Sequence, residues 1–84
     1  MFRVKIRRPA NRALLAVGTG ATWEEAAFDG YDQLVRPTGG SRRYLAHVEH
    51  DLTSWRKLVR FGYRTRSRGV ATDPPVTIDI ERLR

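Results

Sequence analysis

Residues 55–68 hold Arg56, Lys57, Arg60, Arg64, Arg66 and Arg68 with no acid among them, interleaved with Trp55, Phe61 and Tyr63. This mixture suits nucleic acid. Cations neutralise phosphates and release counterions, while aromatic faces and guanidinium planes stack on bases. A second row, Arg3, Lys5 and Arg7, alternates with apolar residues near the N-terminus. If both rows fall on one surface they form a continuous positive patch, the electrostatic footprint of a nucleic-acid binder. The candidate contact residues are therefore Arg56, Lys57, Arg60, Tyr63, Arg64, Arg66 and Arg68, flanked by Arg3, Lys5 and Arg7. Trp55 and Val59 read as core residues within the same stretch.

Other chemistry is weaker. His47 and His50, beside Glu49 and Asp51, have a spacing that places two imidazoles on neighbouring helical turns, but no third ligand stands nearby and cysteine is absent. Metal binding is not expected. Gly18-Thr19-Gly20 lies between a strand and a helix start, where backbone amides can cradle phosphate. It lacks the further Gly or Lys of a nucleotide-binding loop, and Glu24 and Glu25 would repel an anion there, so it reads as a tight turn. Ser54 and Ser67 lie in no nucleophile motif. We expect no enzyme activity, no catalytic residue and no cofactor.

The chain has 84 residues, with 16 Lys or Arg against 9 Asp or Glu, for a formal charge of +7. Such a length supports one core, so residues 1–84 are expected to form a single basic domain. The charge is segregated. Residues 1–22 carry +5, residues 23–35 carry −4 through Glu24, Glu25, Asp29 and Asp32, and residues 36–72 carry +7. The acidic segment is an expected solvated helix face, and with a sheet edge it is one of two candidate surfaces for a homodimer. No apolar run approaches the roughly 18 residues of a membrane span, so no membrane partner and a cytoplasmic location are expected.

These side chains must be positioned by a small number of elements. Phe2, Val4 and Ile6 alternate with Arg3, Lys5 and Arg7, which predicts a strand with one face in the core. Ala13–Val17 predicts a second hairpin arm. Thr22 and Glu25 form a capping box, and Trp23, Ala27, Tyr31 and Leu34 recur at helical spacing, predicting a helix over Trp23–Val35. Residues 41–61 satisfy two periodicities. Tyr44, Leu45, Val48, Leu52, Trp55, Leu58 and Val59 share one arc of a helical wheel, with Ser41 as cap and Gly62 as stop. The same stretch also alternates from Trp55 to Arg64 as a strand, with Tyr44–Glu49 as hairpin partner. The helix is preferred, because the strand puts Leu45, Leu52 and Leu58 on the wrong face. Val76, Ile78 and Ile80, alternating with Thr77, Asp79 and Glu81, predict a closing strand.

The expected architecture is α+β: an antiparallel sheet of three or four strands with one or two helices packed on one face. The expected function is non-enzymatic binding of DNA or RNA through the Arg-rich surface. The alternative is an accessory or inhibitory factor, of the kind phages and mobile elements encode, whose basic face docks on an acidic protein or nucleoprotein.

Overall fold

A computed structural model describes residues 1–36, 43–67 and 69–84. Strands β1 (Phe2–Arg7) and β2 (Leu14–Gly20) form the N-terminal hairpin, and helix α1 (Trp23–Val35) follows. Then come β3 (Tyr44–Thr53), β4 (Arg56–Thr65), β5 (Gly69–Thr72) and β6 (Val76–Arg82). All pairings are antiparallel, in the order β2-β1-β6-β4-β3, with β5 also paired to β4. The sheet thus has six strands, more than the three or four expected, because β3 and β4 form a hairpin and β5 adds a short strand. The fold class is α+β, with α1 the one α-helix among the described residues.

The helix starts and packs as its residues dictate. Thr22 is extended, and its Oγ1 accepts a hydrogen bond from the Glu25 amide at 3.1 Å. Glu25 reaches back to accept from the Ala21 amide at 3.0 Å, one residue before the expected partner of a capping box. Glu24 and Glu25 also place negative charge at the positive end of the helix dipole. Ala26, Ala27, Tyr31 and Val35 face the sheet and meet Val4 and Ile6 of β1, Val59 and Phe61 of β4 and Ile78 and Ile80 of β6. Tyr31 stacks on Phe61 with ring centroids 4.0 Å apart, and Phe28 meets the same ring edge-on at 6.0 Å.

Gly18-Thr19-Gly20 is not a turn but the end of β2. Its glycines serve packing: a Cβ on Gly18 would run into the Ala26 carbonyl and the Gly30 backbone, and one on Gly20 would lie 2.7 Å from the Ala26 nitrogen. The strand and helix backbones approach too closely for any side chain at residue 18.

The helix expected over residues 41–61 is replaced by the β3–β4 hairpin, and Ser41 lies outside the described residues. Two pairings outweigh the helical stripe. β4 docks against β6 from Arg56↔Asp79 to Val59↔Val76, and this buries Val59 and Phe61 at period two under α1. Three register shifts in β3 then answer the objection to the strand for Leu45, which sits opposite Phe61 and packs on the core, while Leu58 stays on the face away from α1. Leu52 and Trp55 instead stand at the hairpin's far end, 48% and 50% exposed, so Trp55 is not a core residue. Gly62 is no helix stop; it lies within β4 beneath the Tyr44 ring.

Candidate nucleic-acid interface

Because α1 covers one face of the sheet, the strand alternation decides what the other face presents. On β1 the residues out of phase with Val4 and Ile6 are Arg3, Lys5 and Arg7. On β4 they are Arg56, Leu58, Arg60 and, past Gly62, Arg64. The two basic rows therefore share the helix-free face. They are not adjacent. β6 runs between them with Thr77, Asp79 and Glu81 in the same phase, registered Lys5↔Asp79↔Arg56 and Arg3↔Glu81.

Ion pairs cross this face in a ladder. Arg3 donates through Nε to Glu81 at 2.7 Å, and Arg60 donates to Glu49 at 2.7 Å. Asp79 gathers three guanidinium groups: Arg7 at 3.0 Å and Arg12 at 2.9 Å on Oδ2, and Arg56 at 2.9 Å on Oδ1. Burial pushes the Asp79 carboxyl up, but the hydrogen bond from Arg56, the charge of Arg12 and the hydrogen bond from Arg7 outweigh it and hold it below the ordinary value of 3.8. Glu81 is likewise held low, chiefly by its hydrogen bond from Arg3. Arg3, Lys5, Arg7, Arg12, Arg56, Arg60 and Arg64 against Glu49, Asp79 and Glu81 leave this face four positive charges in excess.

Arg12 has no place among the candidates drawn from sequence. It belongs to the β1–β2 turn, where its φ of 60° is left-handed, at a steric cost of about 1 kcal/mol for a residue with a Cβ. Its amide donates to Arg8 O at 2.8 Å, its own carbonyl accepts from Arg7, and its guanidinium folds back over the sheet to Asp79. No local pattern marks such a residue. The carboxylates of Asp79 and Glu81, by contrast, stand in phase opposite to Val76, Ile78 and Ile80, which is the signal that places them among the arginines.

Two predicted contact residues point the other way. Lys57 is on the helix side, bonded to Asp51 at 2.8 Å and 5.5 Å from the centre of the Trp23 ring. Tyr63 shares the phase of Phe61, on that same side. Arg66 is exposed in the turn after β4, and Arg68 lies outside the described residues. His47 and His50 are exposed on β3, opposite Arg60 and Leu58. Among the described residues no three ligating side chains cluster as a metal site would require, and no helix is long and apolar enough to cross a membrane.

The acidic helix is partly engaged within its own chain. Asp29 accepts from the Thr19 amide at 3.0 Å and Gln33 donates to the Val17 carbonyl at 2.8 Å, so α1 side chains occupy the outer edge of β2.

Two grooves flank these features. One, of about 350 Å³, lies at the β3–β4 turn and is lined by Thr53, Trp55, Arg56, Asp79, Ile80 and Glu81, at the end of the charged ladder. The other, of about 340 Å³, lies on the helix side between the C-terminal half of α1 and Pro74-Pro75; it is mostly apolar and includes Tyr31. Compared with protein families, characterised proteins and solved structures, the chain matches none of them.

Proposed function

We propose that this chain is a non-enzymatic nucleic-acid-binding module that lays phosphates along the helix-free face of its sheet. The observation that carries the reading is the shared phase of Arg3, Lys5 and Arg7 with Arg56, Arg60 and Arg64 on one uncovered surface. The intervening carboxylates hold several guanidinium groups extended across the sheet while leaving the face in positive excess, and an extended planar fork suits phosphate oxygens. The four acids of α1 lie in the other layer and orient the molecule toward a polyanion. A cytoplasmic location goes with this reading.

The test is a fluorescence-anisotropy titration with labelled single- and double-stranded DNA and RNA across a range of salt. About four phosphate contacts give a log-log slope near −3 for single strands and near −4 for duplex. A slope close to zero overturns the reading. A second reading, an accessory or inhibitory factor docking on an acidic protein or nucleoprotein, is favoured by exposed Val48 and Leu52 on β3, apolar surface for which phosphates have no use. A protein partner retained in a pull-down after nuclease treatment supports that second reading.

A further inference from the structure

The groove at the β3–β4 turn combines features that phosphate binding alone does not explain. Trp55 is half exposed in a charged neighbourhood, although tryptophan is usually well buried. It is held in place: its carbonyl accepts from the Ile80 amide at 2.6 Å and its amide donates to Thr53 Oγ1 at 3.3 Å. The turn is thereby tied to β6. The same groove is lined by Arg56, whose Nε is engaged with Asp79 and whose guanidinium carries four further N–H donors, and by Asp79 and Glu81, whose carboxylates accept from Arg56 and Arg3 and keep lone pairs to spare. A surface meant only for phosphates would be weakened by two carboxylates at its middle. A surface that also meets a base edge would use them, because carboxylates accept hydrogen bonds from exocyclic amino groups.

We infer that this groove receives one unpaired nucleobase of a single strand, stacked on Trp55, with its amino-bearing edge toward Asp79 and Glu81 and its phosphate on Arg56. The inference rests on the nucleic-acid reading and narrows it. A base stacked inside a duplex cannot reach the ring, so single strands are preferred. Cytosine, adenine and guanine carry amino donors and thymine and uracil do not, so the former bind more tightly. The groove volume lies at the lower end of the range for small-molecule sites, as one base requires.

The experiment pairs anisotropy with intrinsic tryptophan fluorescence, using the intact chain and its Trp55→Ala and Trp55→Phe variants. Short oligo-dC, oligo-dA, oligo-dT, a duplex and polyglutamate are the probes. Oligo-dC and oligo-dA should quench the fluorescence more than oligo-dT, and the duplex should not quench. Trp55→Ala should abolish the quenching and weaken single-strand binding roughly 5- to 100-fold, with duplex affinity and salt slope unchanged. Trp55→Phe should fall between. Steeply salt-dependent binding with no quenching, and equal single-strand affinity in Trp55→Ala, overturns the base site and leaves the phosphate face standing. Quenching by polyglutamate, with neither quenching nor a salt-dependent anisotropy change from any oligonucleotide, overturns both and points to an acidic protein.

Discussion

Asp79→Asn removes one negative charge at the point where Arg7, Arg12 and Arg56 converge and replaces it with an amide of the same shape. Part of the loss is geometric. An Asn carries one acceptor oxygen and an NH2 group, so at least one guanidinium then faces another donor. The three contacts are 2.9 to 3.0 Å long, and the arginine side chains are 27% to 47% exposed, which places each on the scale of surface pairs, about 0.2 to 1 kcal/mol. Converging on one carboxylate, they should together contribute about 1 to 2 kcal/mol. For a domain of this size that is a fall in Tm of roughly 5 to 15 °C. The pH dependence carries the sign. Asp79 has a folded pKa below 3.8, so its contribution is complete above that unfolded value and is lost as pH falls through the lower folded one. Asp73, raised by burial, has the opposite trend, but it is common to both proteins and cancels in the difference. Thermal melts of wild type and variant, followed by circular dichroism, should therefore diverge at neutral pH, converge in strong acid and draw closer in high salt. Equal Tm at neutral pH, or a gap that persists undiminished in strong acid, refutes the account of Asp79 as the hub of this cluster.

Gly18→Ala should destabilise by about 1 to 3 kcal/mol or more in chemical denaturation with little change in m, because its Cβ meets helix backbone that cannot move aside without shifting α1. Thr22→Ala removes the Oγ1 acceptor for the Glu25 amide and should cost about 1 kcal/mol in the same assay. Tyr31→Phe should leave stability unchanged or raise it by up to about 1 kcal/mol, since the Tyr31 hydroxyl is buried with no hydrogen-bond partner among the described residues while its ring keeps the stack on Phe61. A clear loss of stability in Tyr31→Phe would mean that a water or ligand satisfies that hydroxyl.

The elements with a single unambiguous period were legible. Phe2, Val4 and Ile6 alternate without interruption, Thr22 announces the start of α1, and Val76, Ile78 and Ile80 mark β6. Residues 41–61 were not, because their leucines satisfy a helical arc and the bulges that make the strand acceptable exist only once β3 and β4 pair. The candidate site was legible in the same graded way. Alternation is enough to place Arg3, Lys5, Arg7, Arg56, Arg60 and Arg64 on one face once both strands are known. Lys57 fell within the expected helix and Tyr63 just beyond its stop, and strand phase sends both to the side of Trp23 and Phe61. Arg12 depends on a left-handed turn residue that folds its side chain back to a carboxylate 67 positions away, which no short-range pattern encodes.

The arrangement of charge also bears on self-association. The outer edge of β2 is engaged by Asp29 and Gln33, and β3, the opposite edge, is broken by three register shifts and carries His47, Glu49, His50 and Asp51. Both are devices that discourage strand-to-strand pairing between copies. What remains is docking of unlike layers, the helix of one copy with its four acids against the basic sheet of another. That contact would cover the surface proposed for nucleic acid, so the two must compete. Light scattering at rising protein concentration should show any assembly of this kind dissolving when a single-stranded oligonucleotide is added. An assembly that persists or grows with bound oligonucleotide would place the contact elsewhere, on the apolar rim of β3 at Val48 and Leu52.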